Sequence, residues 1–144
     1  MHWREFQNTA DRLAQQATEG DWRSAISRGY YAVFHYFREF LLAHGLDIGQ
    51  GGVAHSNLYM ALWNCGFPLI APIAARIDDL RILRGKADYD LWRVMGQSMA
   101  LSAVAESRAI VTDFQAVLAA IAPRDIADGA RHHLQAIGRL GKTP

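Results

Sequence analysis

The stretch that most constrains what this chain can fold into is Ala25-Ile26-Ser27-Arg28-Gly29-Tyr30-Tyr31-Ala32-Val33-Phe34-His35-Tyr36-Phe37-Arg38. It holds no proline, and its residue types recur at helical rather than alternating spacing. Tyr30, Phe34, Phe37 and Leu41 repeat at i, i+4, i+7 and i+11, an apolar stripe that has to be buried. Arg28, Tyr31, His35 and Leu42 fall on a second stripe, so a guanidinium, a phenol and an imidazole share one side of the same helix. Two demanding faces on one segment predict a central helix contacted from more than one direction.

The rest of the chain reads as helices arranged around it. Phe6, Ala10, Leu13 and Ala17 mark a first helix over residues 3–17. Asp21 is placed to cap the central helix, read as 22–44 and closing on Gly45. A glycine-bearing loop at 46–54 leads to a short helix over 57–64, with His55 or Ser56 at its opening. A fourth helix follows Pro72 through Ile73, Ile77, Leu80 and Leu83, and the segment 84–90 reads as a turn because of Gly85 and its polar neighbours. An alanine-rich fifth helix is expected over 94–122, ended by Pro123, and its small residues allow close packing against the central helix. Residues 123–144 read as a C-terminal amphipathic helix and a frayed tail, after a bundle over 1–122. No run alternates with period two, so the fold class is all-α, an antiparallel four- to five-helix bundle.

Composition limits the function classes. At 144 residues, with 51% hydrophobic and 20% charged residues, the chain is long enough to bury a core. A formal net charge of +1 gives no global electrostatic drive toward nucleic acid and leaves only a local basic site. Cys65 is the single cysteine, so no internal disulfide forms, and no local spacing supports a metal site; no cofactor is expected. The opening Met1-His2-Trp3-Arg4-Glu5 has no signal-peptide character, and the uncharged run 48–75 is broken by glycines, prolines, His55 and Asn57. These features predict a soluble cytoplasmic protein with no membrane association.

From Arg23 to His35 the chain resembles the second-helix signature of HEPN domains, in particular their small stand-alone branch. Ala54-His55-Ser56 and Leu83-Arg84-Gly85-Lys86-Ala87-Asp88-Tyr89 agree with it in order and spacing, and the resemblance covers roughly residues 22–118. It implies a helical bundle, similar also to nucleotidyltransferase substrate-binding subunits, that often forms a homodimer. It implies either a metal-independent endoribonuclease with an Arg-x(4–6)-His motif, toxin-like and acting on RNA, or a non-catalytic module paired with a minimal nucleotidyltransferase antitoxin or binding a nucleotide. In this chain the one clear Arg-x(6)-His runs from Arg28 to His35, and the Arg84 segment carries no histidine.

The residue chemistry points the same way. Cleaving RNA without a metal needs a base for the 2′-OH, an acid for the leaving oxygen and cations for the phosphorane charge. His35 suits the acid or base role, Arg28 the phosphate clamp, and Tyr31 a hydrogen bond to phosphate or to His35. Arg84, His55, Asp88 and Tyr89 are the candidates for substrate contact, with Arg28, His35, Arg84, Asp88 and Tyr89 expected to converge. The bland alternative is a structural network in which Arg28 pairs with Asp88 across the bundle. Dimerisation beside the Arg28/His35 stripe would add a second His35 to one cleft.

Overall fold

A computed structural model describes residues 1–140 of the chain. The tail expected at 141–144 lies outside the described residues. The protein is all-α. Among the described residues there are six helices and no strand: α1 (Trp3–Ala14), α2 (Glu19–Ala43), α3 (Gly51–Trp63), α4 (Ala71–Tyr89), α5 (Gln97–Val117) and α6 (Pro123–Ala136). None of the six is long and apolar enough to cross a membrane. Two compact units divide the chain, Met1–Tyr36 with Ile77–Thr112, and Phe37–Arg76 with the residues from Asp113 on.

Local chemistry accounts for most helix ends. The cap of α2 is Thr18 and not Asp21: Thr18 Oγ1 accepts the Asp21 N–H at 3.2 Å and donates to the Asp21 carboxylate at 2.7 Å. Asp21 thus sits in the first turn, bonded both ways to the Thr18 hydroxyl, and the helix starts three residues earlier than expected. At the other end Gly45, at φ +77°, lets the Leu46 N–H reach the Leu41 carbonyl and the Gly45 N–H reach that of Leu42. That is the left-handed glycine cap the sequence implied.

Three helix boundaries differ more widely. Helix α3 begins at Gly51, so His55 and Ser56 lie inside it rather than at its opening. The segment 84–90, expected to be a turn, belongs to α4 as far as Tyr89. Arg23 explains that extension. Its guanidinium donates to the carbonyls of Lys86 (3.4 Å), Ala87 (2.9 Å), Asp90 (3.1 Å) and Arg93, and its Nε to Glu19 Oε1 at 2.9 Å. A cation from α2 thus caps the last turn of α4, sharing the Lys86 carbonyl with the Asp90 N–H. Pro123 opens α6 as its first residue, where its missing N–H costs nothing, and α5 ends earlier, at Val117.

In the first unit, Ala10, Ile26, Tyr30, Val33, Phe34, Leu80, Ala100 and Val104 form a buried core. Gly29 lets α2 approach α5 closely, since a Cβ there would lie 3.3 Å from Ser107 Oγ. Ser107 and Gln7 are buried but satisfied: Ser107 Oγ lies 2.9 Å from Gln7 Oε1 and 2.7 Å from the Val104 carbonyl. In the second unit Phe37 and Phe40 meet Phe114 edge-on at 4.6 and 5.0 Å, and α3 packs on α6. The two longest helices, α2 and α5, therefore meet in each unit, at Gly29 and Ser107 in the first and, through the aromatic stripe, at Phe37 and Phe114 in the second.

Candidate functional site

The face of α2 that carries Arg28, Tyr31 and His35 lies in the first unit, and all three side chains are partly exposed. Their i, i+3, i+7 spacing brings them onto one side, and two neighbouring helices complete the group. From α1, Phe6 stacks on His35 with ring centroids 4.9 Å apart and planes 29° apart. The Arg28 guanidinium sits 5.6 Å from the Phe6 ring and 5.6 Å from the Tyr31 ring. From α4, Arg84 lies 5.7 Å from Tyr31 and 5.3 Å from Tyr30. Tyr31 is thus flanked by two guanidiniums, with the His35 ring 6.1 Å away and nearly parallel to it.

The two arginines are held differently. Arg84 is mostly buried, with 14% of its side chain exposed; its Nη1 is 3.8 Å from Asp88 Oδ2 and its buried Nε has no hydrogen-bond partner. That long ion-pair distance leaves Arg84 only partly neutralised. Arg28 lies over aromatic faces and pairs with no carboxylate among the described residues. An arginine held over rings keeps its hydrogen-bonding edge for an anion. Tyr30 is a different kind of tyrosine: burial raises the pKa of its phenol despite the nearby Arg84, so it stays neutral and serves the core.

Of the other expected site residues, Asp88 meets the group at Arg84. Asp88 accepts a hydrogen bond from Ser27 Oγ at 3.2 Å and faces Arg84, so the pairing with Arg28 does not form. Tyr89, the last residue of α4, is 79% exposed and borders an open recess with Arg81, Ile82, Arg84, Gly85, Lys86 and Asp90. His55 is half-buried on α3, in the second unit. No group of three His, Cys, Asp or Glu side chains placed to hold a metal ion occurs among the described residues.

Two residues that position this face were not legible as such. Phe6 read as ordinary core of α1, and nothing in its own neighbourhood shows that it will lie on an imidazole of α2. Arg23 had a weak signal, a glutamate four residues before it, and Glu19 indeed holds it. Glu19 also accepts the Met95 N–H at 3.2 Å, and the Arg23 bond, then that N–H, holds its carboxyl below the usual range. Comparisons with protein-family models, with curated proteins and with solved structures found no match to the chain.

Proposed function

We propose that this protein is a HEPN-type, metal-independent endoribonuclease, a toxin-like component acting in the cytoplasm, whose active face is Arg28, Tyr31 and His35 with Arg84 beside them. The observation that carries the reading is the arrangement around Tyr31: an arginine without a carboxylate partner and a second, partly neutralised one flank the ring, and an imidazole lies 6.1 Å from it. A phosphodiester anion is the ligand that two such guanidiniums fit.

On an RNA strand the groups would act as follows. Arg28 and Arg84 hold the non-bridging phosphate oxygens and take up the charge that grows on them. His35 removes the 2′-OH proton as the 2′ oxygen attacks phosphorus. The bond from phosphorus to the 5′ oxygen breaks, and that oxygen takes a proton from Tyr31 or from the His35 of a second copy. The products are a 2′,3′-cyclic phosphate and a 5′-hydroxyl. Phe6, stacked on His35, keeps the imidazole from turning away.

One observation favours the alternative, a non-catalytic module that binds a nucleotide or a nucleotidyltransferase partner. Asp88 faces Arg84, and the segment 84–89 is uninterrupted helix that offers no histidine. Incubation of purified protein with total RNA in EDTA, with binding measured in parallel, separates the two. The enzyme reading expects cleavage by the wild type, its loss in His35→Ala with binding kept, and loss of both in Arg28→Ala. Binding without cleavage by the wild type supports the module, and neither binding nor cleavage overturns both.

A further inference from the structure

The active face runs out at Arg84, and an open recess of about 630 Å³ begins there. Arg84 belongs to both: its guanidinium lies 5.7 Å from the Tyr31 ring, and its side chain also lines the recess. A volume of that order is what a single small ligand fills. The floor is Gly85, where nothing lies within 4 Å of the place a Cβ would take. Ile82 and Tyr89, 43% and 79% exposed, flank it one turn away in each direction along α4. A bare backbone between two exposed apolar side chains leaves a gap against which a flat ring can lie.

The rim is cationic, and its unspent cation is Lys86. Arg81 is paired with Asp78 at 2.7 Å, and Asp90, the carboxylate that lines the recess, is taken by Arg93 at 3.3 Å. Arg84 meets Asp88 only at 3.8 Å and keeps a buried Nε without a partner. Lys86 is exposed and has no ion pair or side-chain hydrogen bond among the described residues. Asp79, on the same stripe of α4, stands two turns before Lys86, about 10 Å along the axis. Two cations beside an apolar gap suit a ligand that carries an anion and a flat ring together.

We infer that the recess is the subsite for the nucleotide next to the scissile phosphate, with its base on Gly85 against the Tyr89 ring and its phosphate on Lys86. The subsite rests on the ribonuclease reading and extends it, because the strand is then held beyond the bond that is cut. A strand fits better than a free nucleotide: Arg84 borders both the active face and the recess, as successive phosphates of one strand require. The Tyr89 ring and the gap at Gly85 favour a planar base over the side chains of an acidic peptide, which would use the cations alone. Stacking on one ring tolerates any base, so the subsite sets the register of the strand rather than its sequence, and the base it takes has to be unpaired.

Fluorescence anisotropy with a 2′-O-methyl RNA hexanucleotide, which has no 2′-OH to attack and stays uncut, reads the subsite apart from cleavage. Tyr89→Ala should weaken binding about tenfold, the loss of one stacked base, and leave an abasic strand of the same length unaffected. Lys86→Gln should weaken both strands and flatten the plot of log affinity against log salt by about 0.7, one phosphate of a single strand. Both side chains are exposed, so circular dichroism should match the wild type. A wild type that binds the two strands equally, or a salt slope unmoved in Lys86→Gln, overturns the inference even where the protein cleaves total RNA. Both effects without cleavage keep the recess as a nucleotide subsite and remove the enzyme. Tighter binding of nucleoside 5′-monophosphates assigns the recess to a free nucleotide, and binding of hexaglutamate in the strand's place assigns it to an acidic peptide; either overturns the inference. A protein that binds none of them loses the subsite and the ribonuclease reading together.

Discussion

Gly129 and Gly85 are both helical glycines, and the same substitution at each should move stability in opposite directions. In α6, a Cβ built at Gly129 falls 1.9 Å from the Cys65 carbonyl oxygen, where ordinary contact begins at 3.4 Å. The obstacle is backbone, so it cannot rotate aside, and α6 must back away by about 1.5 Å, enough to forfeit at least about half the dispersion contact along its packed face. Ile126, Ala127, Ala130 and Leu134, all fully buried, make up that face. Overpacking of this kind costs about 3 kcal/mol, and the better helix propensity of alanine returns about 1 kcal/mol. Gly129→Ala should therefore lose about 2 kcal/mol, which for a chain of this size lowers Tm by about 8 °C. Gly85 in α4 has open space where its Cβ would be. Gly85→Ala should gain about 0.5–1 kcal/mol and raise Tm by about 3 °C. Thermal unfolding followed at 222 nm, with all proteins at one concentration, reads both. A Gly129→Ala protein that melts at or above the wild type would refute the close approach of α6 to the 65–66 turn.

Three further outcomes are expected. Arg23→Met removes the donor to the Lys86 and Ala87 carbonyls of α4 and to those of Asp90 and Arg93 just beyond it, and should cost about 2–4 kcal/mol and speed amide exchange over residues 86–95, measured by mass spectrometry. Glu19 has a lowered pKa, so its contribution is present above its ordinary value of 4.5 and is lost as pH falls through the lowered one; the Tm difference between wild type and Glu19→Gln should hold steady above about pH 5 and shrink in acid. Burial raises the pKa of the Cys65 thiol, so alkylation at neutral pH should be at least about tenfold slower in the native protein than in urea, by mass spectrometry.

What the sequence determined by itself is whatever local periodicity and local capping decide. The two stripes of α2 are properties of 3.6-residue spacing, and both are present: Tyr30, Phe34, Phe37 and Leu41 are buried, and Arg28, Tyr31 and His35 share one partly exposed side. The Gly45 cap and the all-α class follow from the same short-range rules. Tertiary structure decided the features whose partners lie far along the chain. Gly85 and its polar neighbours favoured a turn, yet α4 runs on to Tyr89 because Arg23, more than 60 residues earlier, satisfies its last carbonyls. Gly129, a poor helix former by type, is the position where α6 passes close to the Cys65 carbonyl. Asp88 read as a partner for Arg28 and lies with Arg84 and Ser27, while the ring that steadies His35 comes from Phe6 on another helix. Periodicity assigns a residue to a face. Which groups meet at that face depends on how separate helices pack, because a hydrogen bond or a ring contact is satisfied by distance in space and not along the chain.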